Sequence, residues 1–516
     1  MFAKAMINSN NNMSSTWNGA LSLSSPDPSG NADGLISLLF KCVRGITDEQ
    51  INEYLSKATK ENLVDSFLIA FNTRDVRGGK GERDIGRKLL VYLFLNHPSE
   101  FNKVYHLIPE YGRFDDLLVL FPNVIEKEKL TLYHLAVQKD IVKFFSTQLK
   151  TDKTNMEEGK PVSLCAKWAP TEGDSLDKKY KLVRSLCSDL GITSKQYRKE
   201  YTTPLRAYLH IVETYMCSNN WEKIEFSKVP SCAVKRLKKA FVKHLPESYK
   251  EWLDSLKNGT SKVNAKALHP HELVKEMRTK NEADQVCTSQ WNVLEEEVRK
   301  LGSLQDAVVV VDTSGSMTCN NSLPLDIACG LGLMIASVVE GEFKNHVITF
   351  DDTPTFQVIK EGDIYSRYQQ LRDIPWGGST NLQATFDLIL EKGRAAKLTD
   401  KDMPKRLFII SDMQFDSAVG DRFGEQTNLE VINDKYKLYG YTRPQIVFWN
   451  ANGSSTDFPA STDDDGTVLV SGTSPAILKS IITAKEFSTY AIMRAELDSE
   501  RYKPVKESLC GGVVHS

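Results

Sequence analysis

Between residues 307 and 317 the chain runs AVVVVDTSGSM, five apolar residues followed at once by a carboxylate and a cluster of hydroxyls. A strand with no polar face has to lie inside a parallel sheet covered by helices on both sides. Open sheets of this kind bind ligands in the loops just beyond the carboxyl ends of their strands, which is where Asp312, Ser314 and Ser316 fall. One ionised and two hydroxyl oxygens within five residues suit a hard dication that keeps several of its waters, Mg²⁺ or Mn²⁺.

Two later stretches supply what that loop lacks. Residues 376–382, WGGSTNL, bring the Thr380 hydroxyl to the start of a helical pattern, and residues 406–412, RLFIISD, form a second apolar run ending in Asp412. With these three segments in order, residues 304–490 resemble a von Willebrand factor A domain. That family's metal-ion-dependent adhesion site reads Asp-x-Ser-x-Ser, then Thr, then Asp. It carries onto Asp312, Ser314, Ser316, Thr380 and Asp412. The family's Gly-Gly-Thr-Asn phrase aligns on Thr380 and Asn381, with Ser379 as an insertion. The resemblance implies a bound Mg²⁺ (or Mn²⁺) with an open position for an acidic group of a protein ligand.

The surrounding pattern predicts strands at 307–311, 346–350, 355–359, 407–411, 445–449 and 467–471. Helices are predicted at 323–339, 365–373, 381–397, 428–439 and 474–485. Such alternation gives a doubly wound, Rossmann-like α/β sheet. The polar loop 452–466 should begin near the metal face, because it leaves the carboxyl end of a strand.

Earlier in the chain the periodicity changes. Segments 35–44, 51–71, 83–95, 130–149, 177–190 and 204–217 carry apolar residues at helical spacing with almost no alternation between them. Successive helices without strands predict an all-α bundle or a helical-repeat (HEAT-like) solenoid. The expected organisation is therefore multidomain: a tail at 1–34, a helical domain at 35–300 and the α/β domain at 301–516. The tail is rich in Asn, Ser, Gly and Pro and should be disordered or draped over a partner surface.

Charge separates the two halves. Residues 1–300 hold 45 Lys and Arg against 38 Asp and Glu, a balance of +7, whereas residues 301–516 hold 20 against 29, a balance of −9. A basic half favours phosphate backbones. Its densest run lies within 223–250, with Lys228, Lys235, Arg236, Lys238, Lys239 and Lys243. A helix over 231–244 would keep Val234, Leu237 and Phe241 inward and most of these cations outward. Arg74, Arg77 and Lys80 stand among three glycines in RDVRGGKGER, where bare backbone N–H groups beside cations could cradle a phosphate. His269 and His271 lack a partner at metal-ligand spacing and read as turn histidines.

The phrases RDVRGGKGER, IPEYGRFDDLL, LCAKWAPTEG, FSKVPSCAVKRLKKAF and ALHPHELV resemble, over about residues 15–300, the TROVE-like helical module of the domain of unknown function 2828 family. That family is related to the Ro ribonucleoproteins, which join a ring of helical repeats to a von Willebrand A domain. The resemblance implies binding of structured or non-coding RNA through basic residues of the ring.

No nucleophile elbow, H-E-x-x-H, Walker A or Rossmann fingerprint occurs, so the expected function is a non-enzymatic RNA-binding scaffold. A protein-interaction scaffold without RNA and a metal-dependent phosphodiesterase are the alternatives, and no small-molecule substrate is expected. Nine Cys, none as C-x-x-C, predict free thiols in a reducing compartment. No stretch reads as a membrane span or secretory leader, so a cytoplasmic protein without a membrane partner is expected.

Overall fold

The computed structural model describes residues 13–26, 34–121, 130–265, 268–350, 353–374, 379–417, 427–455, 457–462 and 464–511. Of the expected tail, residues 1–12 and 27–33 lie outside this set. Residues 13–26 are ordered against the α/β domain, which corrects that part of the tail. Strands β1 (Met13–Ser15) and β2 (Leu21–Leu23) pair antiparallel as a hairpin. It is held by the Leu23–Phe458 bridge and by Ser14 Oγ donating to Asp457 at 2.5 Å.

The helical part opens with α1 (Gly34–Lys41), α2 (Asp48–Glu61), α3 (Leu63–Arg74) and α4 (Arg83–Asn96). It continues through the long α5 (Leu132–Glu157) to α6 (Ser231–His244), α7 (Pro270–Lys280) and α8 (Gln285–Arg299). Three of the expected helices are each broken in two. Asn62 is extended between α2 and α3, and its side chain accepts from Asp65 N–H to cap the second. Lys181 and His210 take left-handed φ values of 57° and 50°, ending helices Ser175–Tyr180 and Thr203–Tyr208. Labelled helices range from 8 to 26 residues, so helix length alone marks no HEAT-like unit.

The α/β part runs β3 (Ala307–Val311), α9 (Cys319–Val338), β4 (His346–Thr349), β5 (Thr355–Val358), α10 (Leu382–Ala395) and β6 (Arg406–Ser411). It ends with α11 (Asn428–Leu438), β7 (Gln445–Asn450) and β8 (Thr467–Ser471), then α12 (Thr489–Leu497) and α13 (Lys503–Cys510). The sheet order is β8-β7-β6-β3-β4-β5, parallel except for the β5 edge. Alternate residues of β3 serve opposite faces. Val309 and Val311 pack toward α9, α7 and α8, whereas Val308 and Val310 pack toward α10 and α11. All four are fully buried, and each contributes roughly 1.5–3 kcal/mol.

Packing does not follow the 300/301 boundary. α7 and α8 send Leu273, Val274, Met277, Trp291 and Leu294 into the core of the sheet. The last two helices, absent from the sequence reading, return Met493, Leu497, Tyr502, Val505 and Leu509 to the core formed by residues 35–205. The segment Gly315–Val338 is long and apolar enough to cross a membrane, which the sequence reading missed, and 83% of its apolar window is buried inside the protein. All nine cysteines are unpaired; Cys42, Cys165, Cys187, Cys287 and Cys329 are buried, and the other four are exposed.

Candidate metal centre

Parallel pairing of β3 and β6 places Val311 opposite Ile410, so Asp312 and Asp412 emerge together at the carboxyl edge. Both side chains are buried. Ser314 N–H donates to Asp312 Oδ1 at 2.9 Å and Ser411 Oγ to Asp312 Oδ2 at 2.5 Å. Ser314 Oγ lies 3.1 Å from Ser316 Oγ, and the nearby Ser316 hydroxyl partly offsets the rise in the Asp412 pKa. Burial pushes both carboxyls above the usual carboxylate range, and for Asp312 the neighbouring Asp412 charge adds to the rise. Ser316 and Gly315 are exposed, so the cluster opens to solvent on one side.

Thr380 is positioned through Asp416, four residues beyond Asp412. Asp416 accepts from Thr380 N–H at 2.7 Å and from Ser379 Oγ at 2.6 Å. The Ser379 hydroxyl is thereby occupied, whereas Thr380 Oγ1 is buried without a hydrogen-bond partner. Buried hydroxyls are rarely left so, and a dication among Asp312, Asp412, Ser314, Ser316 and Thr380 would satisfy it and offset the paired carboxylates. The donor set fits Mg²⁺ or Mn²⁺: oxygen only, two carboxylates, three hydroxyls. Trp376, Gly377 and Gly378 lie outside the described residues.

Sequence reasoning missed Ser411 and Asp416, which orient Asp312 and Thr380. Their signal was adjacency alone: Ser411 precedes Asp412, and Asp416 follows four residues later. Backbone strain also collects here, with Met413 at φ 66° and Asn320, Asn321 and Ser322 at φ 51–61°. The loop after β7 begins at this face as expected, with Asn452 Nδ2 donating to Cys319 Sγ at 3.5 Å.

The candidate phosphate-contacting cations fare differently. Lys80 is buried, its Nζ donating to Leu39 O and, at 2.9 Å, to Ser471 Oγ. Burial lowers its pKa to about 8. Arg74 is buried too and pairs with buried Asp116 at 2.7 Å. Neither side chain reaches a solvent-borne phosphate, which corrects both assignments. The glycines of this loop serve close packing instead. A Cβ on Gly79 would meet Asn72 O at 2.1 Å, and one on Gly81 would meet His269 Nε2 at 2.4 Å. Only Arg77 of the three cations is exposed, donating to Glu110 O.

On α6, Lys235 pairs with Glu276 at 2.8 Å and Lys238 with Asp284, both half-buried, so these two face α7 and the start of α8 rather than solvent. Arg236 and Lys228 are exposed but paired with Glu213 and Glu225. Lys239 and Lys243 are exposed. His269 and His271 are buried at the junction rather than in an open turn, and burial lowers both pKa values, which keeps the rings neutral.

A family model described as domain of unknown function DUF2828 matches residues 122–304, and one described as domain of unknown function DUF7788 matches residues 306–509. The second match carries no von Willebrand description. The uncharacterized protein L728 of Acanthamoeba polyphaga mimivirus is 34% identical over 527 residues, covering 96% of this chain and 89% of that protein. The chain belongs to the family of that viral protein. Among solved structures, the Ro (RSR) protein of Deinococcus radiodurans is similar at a TM-score of 0.44 and 12% identity, covering 90% of this chain and 99% of that one.

Proposed function

We propose that the chain is a non-enzymatic, Ro-like binding scaffold whose α/β domain holds Mg²⁺ (or Mn²⁺) through Asp312, Ser314, Ser316, Thr380 and Asp412. The ion supplies an electrophilic position that accepts an oxygen anion, here the acidic group of a protein partner. What carries this reading is the pair of buried carboxylates, Asp312 and Asp412, that adjacent parallel strands bring out at one sheet edge, with the unpartnered Thr380 hydroxyl as support. In a titration followed by electron paramagnetic resonance, the free Mn²⁺ signal should fall by one ion per wild-type chain. It should not fall with Asp412→Ala; equal uptake by that variant would remove the site.

The helical part is the RNA-binding face of this scaffold, supported by the +7 balance of residues 1–300 and by exposed Lys239, Lys243, Arg236 and Lys228. Retention of a structured non-coding RNA should weaken steeply with salt. Joint Lys239→Glu and Lys243→Glu replacement should lower the salt slope by about 2. Unchanged affinity would favour a protein-interaction scaffold without RNA. A reducing, cytoplasmic setting suits the nine unpaired cysteines.

A further inference from the structure

The hairpin at residues 13–26 carries the most exposed large apolar side chain among the described residues, Trp17, 93% accessible. Its mount is rigid. Trp17 N–H donates to Gln414 Oε1 at 2.7 Å, Asn18 Nδ2 to Gln414 O at 2.9 Å and Thr16 Oγ1 to Phe415 O at 2.6 Å, while Gly19 bridges Asp416. Gln414 N–H in turn donates to Asp412 at 3.2 Å, and Asp416 holds Thr380. The turn presenting Trp17 is thus fastened to the segment that carries one proposed metal ligand and braces another. Gln414 lies two residues from Asp412, a chain span of at most ~7 Å.

We propose that Trp17 is the apolar anchor of the metal face. The partner is a protein segment that presents a carboxylate to the ion and, within a few residues, an apolar side chain to the Trp17 ring. This deepens the metal reading above and rests on it. The chain buries Trp291 and Trp449 completely, yet it leaves this indole in water on a turn whose backbone is tied to the Asp412–Asp416 segment, and tryptophan is enriched among the residues that dominate interface energy. Charge selects the class of partner. Asp312, Asp412 and Asp416 line this edge, and residues 301–516 carry a balance of −9. A nucleic-acid strand would set its regularly spaced phosphates against those carboxylates with one dication between them. A peptide needs to offer a single anionic oxygen, and its remaining contact is apolar.

Random dodecapeptides displayed on phage, selected on the full chain in Mg²⁺ and eluted with EDTA, provide the probe. Enriched sequences should pair Asp or Glu with an aromatic or branched aliphatic residue within a few positions, since the hairpin is hydrogen-bonded to Gln414, two residues from Asp412. A synthetic peptide of that sequence should bind Trp17→Ala about thirtyfold more weakly, retain its affinity for Trp17→Phe and fail to bind Asp312→Ala. Trp17 touches no core, so its alanine variant should melt with the wild type. Peptides that bind Trp17→Ala as tightly as wild type overturn the anchor while leaving the metal reading standing. The same follows if no peptide elutes with EDTA although Mn²⁺ still binds. Displacement of the peptide by an unstructured RNA oligonucleotide would assign the face to nucleic acid and overturn the proposal. Absence of Mn²⁺ uptake removes the metal reading itself.

Discussion

Arg501→Ala probes the claim that the last two helices close the helical core. Asp75, at the end of α3, is fully buried, and Arg501 forks onto it, Nη2 to Oδ1 at 2.7 Å and Nε to Oδ2. Removing one partner of a buried ion pair costs about 3–5 kcal/mol, because the other charge stays buried. Two donors remain on Asp75 in the variant, Tyr502 Oη at 3.1 Å and Arg77 N–H at 3.0 Å. The Arg501 side chain is 28% exposed. Together these bring the expected loss to about 2–3 kcal/mol. Arg501→Lys keeps the charge without the two-pronged geometry and should fall between the two. Urea unfolding followed by far-ultraviolet circular dichroism measures the loss. A change below about 0.5 kcal/mol, the range of ordinary surface substitutions, would refute the idea that residues 489–510 belong to this core.

Other perturbations test the junction. Gly79→Ala drives a Cβ into the Asn72 carbonyl and should cost at least about 2 kcal/mol, seen as a lower melting temperature; an unchanged one would mean the approach is not so close. Burial pushes Glu496 up from 4.5 to about 7. Its contribution to stability is therefore complete below pH 4.5 and lost as pH rises toward 7. Glu496→Gln should flatten the urea midpoint across that window, and an unaltered slope would contradict the burial of that charge. Lys238→Glu sets a second carboxylate against Asp284, which caps α8, and should cost about 1–2 kcal/mol. Lys239→Glu should change stability by less than about 0.5 kcal/mol; equal losses would mean that α6 faces α7 differently.

The placing of Asp312 and Asp412 together at the sheet edge was legible because its determinants are local. An all-apolar strand has one place to go, and the residue after it must surface at the carboxyl edge, so Asp312 and Asp412 followed from residues 307–311 and 406–411. Of the two neighbouring hydroxyls, Ser379 is engaged by Asp416, a partner that only the fold brings to it. The loop at 74–83 was not legible in the same way, since Lys80 owes its burial to Ser471, 391 residues away. Glycines beside cations look alike in a phosphate cradle and in a tight domain junction; what decides is the long-range partner. For the same reason the helix face carrying Lys235 and Lys238 read as solvent-exposed. The hairpin at 13–26 escaped notice because its strands are three residues each and gain their order from residues 414–417 and 457–458. Breaks at Asn62, Lys181 and His210 interrupt an apolar period that continues across them.

Isothermal calorimetry of Mg²⁺ on the wild-type chain and on Asp312→Ala bears most directly on the account. The wild type should bind one ion per chain, weakly enough to need millimolar-range Mg²⁺ because only two carboxylates are offered. Its melting temperature should rise with Mg²⁺ concentration. Asp312→Ala should show neither effect while retaining the wild-type circular dichroism spectrum. No heat and no thermal stabilisation in the wild type, or identical binding by Asp312→Ala, would contradict the claim that this edge of the sheet is a metal centre.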